Sequence, residues 1–208
     1  MKNPELEKFL LNALPKDEFR EKFKERLKNA EDDYWQIMSE MRTIYIFDKV
    51  LKIPIANIEA KTIKEKDVDF TADSEDGKIY VEVKGFRPIN EAIAKRGGWL
   101  GSDDEKIARA LRRSQNKFLE NSYNITVIAD ENTIRLPIFM NLLTDLEKTP
   151  EIYLNNPDYN KTSALMILGG MYYGQQYNYK IWYNDNSQKP LSDNLKNIFN
   201  KHKSNFYK

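Results

Sequence analysis

The sequence predicts an α/β fold, a central mixed β-sheet flanked by helices, and three stretches carry that expectation. Residues 66–85 alternate apolar and polar side chains in two runs joined by a turn containing Asp76-Gly77, the pattern of an antiparallel hairpin. Ile125-Thr126-Val127-Ile128-Ala129 is a short apolar run after a helical stretch, which suits a parallel strand in a sheet covered on both faces. Residues 33–51 are long and apolar enough for a buried helix. With 208 residues, 40% hydrophobic and 31% charged, the chain can build one globular domain with a full core. No internal repeat or linker divides it: residues 1–30 read as a helical extension, 31–130 as the core, and 131–208 as a further extension of sheet and helices.

Asn3 is placed to cap a first helix, with Pro4 at its first position, Leu6, Phe9 and Leu10 on its apolar face, and Pro15 to stop it. From Asp17 to Lys28 a second, charged helix exposes most of itself, and Phe19, Phe23 and Leu27 form a narrow seam at four-residue spacing. This pair is expected to pack on the core, with packing on a second subunit, a homodimer, as the alternative. In the helix of residues 33–51 one stripe runs Ile37, Glu40, Ile44, Phe47, Leu51, which sets a carboxylate in a core-facing position. A buried, uncompensated carboxylate is so unfavourable that Glu40 is expected to be protonated, paired, or near a metal.

Residues 53–58 read as the first strand. If Ser74 to Gly77 form the hairpin loop, paired residues have numbers summing to 151, and Asp69 stands opposite Glu82. One face then carries Val68, Phe70, Ala72, Ile79, Val81 and Val83 and is core, while the other carries Asp69, Thr71, Tyr80, Glu82 and Lys84. Opposed carboxylates on neighbouring strands repel unless a cation lies between them, and Lys84 supplies one.

Residues 85–101, with Pro88, Gly97, Gly98 and Trp99, are too long for an ordinary connection and read as a functional loop. Within it Lys95, Arg96 and Trp99 offer phosphate contacts and a stacking surface. Ser102-Asp103-Asp104-Glu105 is a capping box that opens a helix reaching about Glu120. Its apolar stripe is Ile107, Ala110, Leu111, Ser114 and Phe118, and Lys106, Arg109, Arg112, Arg113 and Lys117 decorate the remainder, an arrangement suited to a phosphate backbone. Gln115 borders the core face. Residues 137–146 suggest another helix, 165–169 and 177–183 are candidate strands, and Ser192 or Asp193 caps a last helix to about Asn200. Eight of the twelve tyrosines follow residue 150, where alternation in a strand reads as sheet packing.

The chain has no cysteine, and its one histidine, His202, sits in a polar tail. Disulfide scaffolds and thiolate zinc sites are thereby excluded, and chemistry built on histidine is disfavoured. Carboxylates, lysine, hydroxyls and a hard cation remain. No apolar run reaches the ~18 residues of a membrane helix. The first residues lack a secretory apolar segment, so a cytoplasmic location is expected and the Asn-X-Thr triplets at Asn124 and Asn160 are expected to carry no sugar. A net charge of +1 gives no strong general attraction to polyanions.

A helix bearing Ser39-Glu40-Met41-Arg42, a strand with Asp69-Phe70 and a next strand with Glu82-Val83-Lys84 together resemble the PD-(D/E)XK nuclease superfamily. That pattern is a helix glutamate, a strand aspartate and a Glu-X-Lys. Glu40, Asp69, and Glu82 with Lys84 match it in order, and Val68 stands where a proline is usual. The resemblance covers about Asp33 to Ala129. It implies a restriction-endonuclease-like core and a Mg²⁺- or Mn²⁺-dependent nuclease hydrolysing phosphodiester bonds, DNA being the first expectation, in a restriction, repair or mobile-element context. Asp69, Glu82, the Val83 carbonyl and a substrate phosphate would hold the ion, while Glu40 would bind directly, through water, or at a second ion. Lys84 would orient or deprotonate the attacking water. Several branches of the superfamily place a glutamine on the following helix near the metal, and Gln115 is the matching residue. Two other classes stay open: a nuclease-like fold without catalysis that binds nucleic acid or builds a complex, and a structural protein whose charges form a salt-bridge network.

Overall fold

Asn3 and Pro4 begin the first helix as their chemistry requires. The Asn3 side-chain oxygen accepts the Leu6 N–H, and the proline occupies a position whose missing N–H costs nothing. The computed structural model describes residues 2–30, 33–61, 67–86, 103–130, 153–168 and 179–202. Among them are five α-helices: α1 (Pro4–Ala13), α2 (Asp17–Lys28), α3 (Tyr34–Tyr45), α4 (Asp103–Gln115) and α5 (Asp193–Lys201). Six strands, β1 (Ile55–Lys61), β2 (Asp67–Ser74), β3 (Gly77–Phe86), β4 (Tyr123–Asp130), β5 (Ala164–Leu168) and β6 (Tyr179–Tyr183), form one sheet in sequence order. β1, β2 and β3 run antiparallel to one another, β4 and β5 run parallel to β3, and β6 reverses against β5. The result is the mixed sheet and α/β architecture that the sequence predicts.

Both faces of the sheet are covered. Phe70, Ala72, Ile79, Val81, Val83, Ile125 and Val127 pack in one cluster with residues of α1, α2, α3 and α5. Phe19, Phe23 and Leu27 of α2 are buried in that cluster, so the N-terminal helices pack on this chain's own core. On the opposite face Ile107, Ala110 and Leu111 of α4 meet Ile128, Leu165, Ile167 and Trp182. The apolar hairpin face is buried as expected. The polar face is covered too, with Thr71 and Glu82 both buried.

Several boundaries differ from expectation for local reasons. The first strand begins at Ile55, because Pro54 has no N–H to donate; its carbonyl instead accepts from Asp73 N. The buried helix of residues 33–51 is α3 followed by a wider π-turn at Ile46–Val50. The basic helix stops at Gln115 rather than near Glu120, where Lys117 N and Phe118 N both turn back to the Ser114 carbonyl. Lys117 therefore leaves the helical surface. The candidate helix at 137–146 and the loop carrying Lys95, Arg96 and Trp99 lie outside the described residues, as does the start of the 177–183 strand.

The register of the hairpin positions the site. The β2–β3 ladder runs from Ser74 opposite Gly77 to Phe70 opposite Val81, numbers summing to 151, and ends there. Beyond it β2 continues with β1, through Ala60 opposite Val68 and Lys61 opposite Asp67. β3 continues with β4 as far as Phe86 opposite Asp130. The two strands thus diverge just before Asp69 and Glu82 would pair.

Candidate functional site

Where β2 leaves β3, the β3 backbone must find other partners, because unpaired buried N–H and C=O groups are strongly unfavourable. Side chains supply them. Val83 N donates to Asp69 Oδ2 at 2.6 Å. Gln36 of α3 gives its Nε2 to the Val83 carbonyl at 3.0 Å and accepts from Gly85 N on its Oε1 at 2.8 Å. One glutamine thus stands in for a strand. Gly85 permits the close approach: a Cβ there would lie 2.6 Å from Ser39 Oγ and 3.1 Å from Gln36 Cα.

Gln36 also donates to Glu40 Oε1 at 3.0 Å, one helical turn along α3. Arg26 of α2 forks onto the same carboxylate, Nη1 to Oε2 at 2.6 Å and Nη2 to Oε1 at 3.1 Å. Glu40 is therefore buried and paired, one of the outcomes expected for it. The guanidinium lies over the Phe23 ring at 5.1 Å and reaches Glu59 of β1 at 3.4 Å. Burial acts to lower the Arg26 pKa, but the bond to Glu40 and the charges of Glu40, Glu59 and Asp69 hold it above the usual value.

Glu82 is fully buried in β3 with two ammonium groups on one oxygen. Lys84 pairs with its Oε1, and Lys117, from the turn after α4, joins the same atom at 2.7 Å. Its Oε2 is buried with no hydrogen-bond partner among the described residues. Thr126, opposite Glu82 on β4, and Thr71 on β2 also have buried hydroxyls without partners there. Asp69 feels the whole cluster. Burial, then the charges of Glu40 and Glu82, push its carboxyl up to about 8, against the Val83 hydrogen bond and Lys84, which pull it down. Lys117 is held above its ordinary value by Glu82, although its burial works the other way.

The donor set is hard oxygen throughout. Among the described residues no three or more His, Cys, Asp or Glu side chains form a group that could hold a metal. Glu82 Oε2, an Asp69 carboxylate and the Val83 carbonyl are a small protein share of a coordination sphere, the share Mg²⁺ takes when it keeps several waters. An orphaned buried carboxylate oxygen beside a carboxyl with a raised pKa fits a small divalent cation.

The structure brings Glu40, Asp69, Glu82, Val83 and Lys84 to the place where the strands diverge. Three members are not legible as site residues in the sequence. Gln36 had a signal in its four-residue spacing from Glu40, whereas Arg26 and Glu59 look like solvated charges. Lys117, expected as a phosphate contact, pairs inside the cluster. Gln115 ties the end of α4 to the chain before β5, donating to Thr162 Oγ1 at 2.6 Å and accepting from Lys161 N at 3.1 Å. Its amide is engaged there rather than with the carboxylates. Arg109, Arg112 and Arg113 are exposed on α4, and Lys106 lies on the same helix. A cavity of about 490 Å³ lined by Glu25, Arg26, Asn29, Asp33, Gln36 and Ile37 adjoins the cluster through Arg26 and Gln36. No described helix is long and apolar enough to cross a membrane. Compared with protein-family models, curated proteins and solved structures, the chain matches none.

Proposed function

We propose that this chain is a Mg²⁺- or Mn²⁺-dependent nuclease with a restriction-endonuclease-like core, hydrolysing phosphodiester bonds of DNA in the cytoplasm. The observation that carries the reading is the buried, unpartnered Glu82 Oε2 beside Asp69, with Lys84 on the same carboxylate, at the point where two strands diverge. Most buried polar side-chain atoms in native proteins are hydrogen-bonded, so an orphaned carboxylate oxygen calls for an explanation that a salt bridge alone does not give.

Asp69, Glu82 and the Val83 carbonyl hold the ion in this reading. A bound divalent cation supplies charge stabilisation at the phosphoryl oxygens and lowers the pKa of its water. The chain's residues do the positioning. Asp69 is fixed by the Val83 amide, and the Val83 carbonyl by Gln36, so both groups are preorganised. Lys84 donates to the attacking water and to a non-bridging phosphoryl oxygen. The water oxygen bonds to phosphorus while the bond to the leaving nucleoside oxygen breaks; the water gives up a proton and the leaving oxygen takes one up. Arg109, Arg112 and Arg113 lie along the phosphate backbone and fix the duplex without reading its sequence.

Digestion of supercoiled plasmid and of single-stranded DNA, with and without Mg²⁺ or Mn²⁺, tests this. Divalent-dependent cleavage by the parent and none by Asp69→Asn is the expected result. DNA binding without cleavage under any ion sinks catalysis and favours a nuclease-like binding module. The pairing of each site carboxylate with protein groups is the observation that would then matter.

A further inference from the structure

Three buried polar atoms without a hydrogen-bond partner among the described residues share one face of the sheet: Thr71 Oγ1, Glu82 Oε2 and Thr126 Oγ1. Strand alternation sets that face. Phe70 and Ala72, Val81 and Val83, and Ile125 and Val127 all enter the core cluster on the side of α1, α2, α3 and α5. Thr71, Glu82 and Thr126, each between two of these, therefore turn to the side covered by α4. Thr126 stands directly opposite Glu82 in the parallel β3–β4 ladder. Thr71 pairs with Tyr80, two residues before Glu82, and so lies diagonally across from the carboxylate on β2. Glu82 thus has a threonine on the strand to either side.

Sheet packing does not account for these hydroxyls. Strands covered on both faces favour Val and Ile, and Val has the shape of Thr without a hydroxyl to desolvate. In Ile125-Thr126-Val127-Ile128-Ala129 the threonine is the one polar residue, and it is fully buried, as is Thr71 to within 2%. Buried hydroxyls elsewhere find a carbonyl. Ser39, Thr43 and Ser114 donate one turn back along their helices, and Ser163 donates to the Lys189 carbonyl. Two orphaned hydroxyls flanking an orphaned carboxylate oxygen make a place fitted to a polar guest.

We infer that Thr71 and Thr126 are positioning residues that hold the water shell of the divalent ion on Glu82, an inference that rests on the nuclease reading above. Lys84 and Lys117 both take Glu82 Oε1, which leaves Oε2 for the ion. Mg²⁺ gives up its waters reluctantly, and those waters need hydrogen-bond acceptors. A threonine hydroxyl offers two lone pairs without adding charge. Neighbouring strands lie about 4.8 Å apart, and residues on the diagonal about 7 Å. Neither hydroxyl bonds to Glu82 directly, so bridging waters suit these separations better than a shared bare ion.

Calorimetric titration of Mn²⁺ into the full chain, with thermal melts of the metal-free protein alongside, decides the matter. Thr71→Val and Thr126→Val should each weaken Mn²⁺ binding by about 10- to 100-fold, the usual loss when a group supporting a metal's ligands is removed. Metal-free melting temperatures should hold or rise, because a methyl replaces a buried hydroxyl that bonds to nothing. Thr126→Ser, which keeps the hydroxyl, should retain most of the parental affinity. A hydroxyl with a purely structural role gives the opposite result, a lower metal-free melting temperature with ion affinity unchanged. Parental Mn²⁺ affinity in either Val variant would overturn the inference, and so would a Val variant that melts lower without metal or fails to fold by circular dichroism. Metal-dependent plasmid cleavage by the parent would leave the nuclease reading standing in each of those cases. A parent that neither binds Mn²⁺ nor cuts plasmid DNA would overturn both.

Discussion

The Val83 amide donates to the Asp69 carboxylate at 2.6 Å, across the gap where β2 and β3 diverge. A side chain takes over a rung of the ladder, and in doing so fixes one carboxylate beside the buried Glu82. Asp69 is thereby held where its own charge is unfavourable.

The consequence is a pH dependence of metal-free stability. The Asp69 carboxyl rises from 3.8 to about 8 on folding, through burial first and then Glu40 and Glu82. Between those values the folded state binds more protons than the unfolded one, so this group's stabilisation is complete below about pH 4 and is lost as pH rises towards and through 8. The melting temperature without divalent ions should fall across pH 5 to 9 by this contribution, and Asp69→Asn should flatten it. Equal slopes for parent and variant would mean that Asp69 does not carry the proton.

Lys84→Ala separates chemistry from scaffolding. Lys117 remains on Glu82, so the carboxylate keeps a cation and metal binding should survive. Single-turnover cleavage should fall about a hundredfold, on the order of 3 kcal/mol in the barrier, while DNA affinity changes much less. A destabilised protein that cuts at the parental rate would reduce the hairpin to scaffolding.

Gly85→Ala tests the close approach of α3. The added Cβ meets Ser39 Oγ at 2.6 Å and the Gln36 backbone at 3.1 Å, so the helix must shift and the Gln36 rung must lengthen. Overpacking of this kind destabilises by about 1–3 kcal/mol. Chemical denaturation should show that loss, with lower metal affinity because the Val83 carbonyl is released; an unchanged midpoint would show that the contact relaxes freely.

The exposed arginines of α4 give a salt test. Replacing Arg109, Arg112 and Arg113 together should weaken DNA binding and reduce the slope of log affinity against log salt by up to about 3, since fewer counterions are displaced. Identical slopes would return this face of the helix to simple solvation.

The sequence by itself determined part of the fold: the hairpin register from Ser74–Gly77 to Phe70–Val81, though not the expected Asp69–Glu82 pair, the parallel strand after the basic helix, the apolar face of Val68, Phe70, Val81 and Val83, and a buried Glu40 needing a partner. These follow from period-two and helical alternation, which act between near neighbours and are written locally. Boundaries slipped where a turn residue or a proline intervened, as at Gln115 and Pro54. Only the tertiary structure decided where β2 leaves β3, and so which side chains must complete the ladder. It brought Arg26 to Glu40 across 14 residues and Lys117 to Glu82 across 35. An arginine on a charged helix and a lysine after a basic one carry no local mark of such roles. Partner choice among charges is set by the shape of the shared interior, where an unpaired carboxylate is unfavourable enough to draw in whichever cation the fold brings within reach.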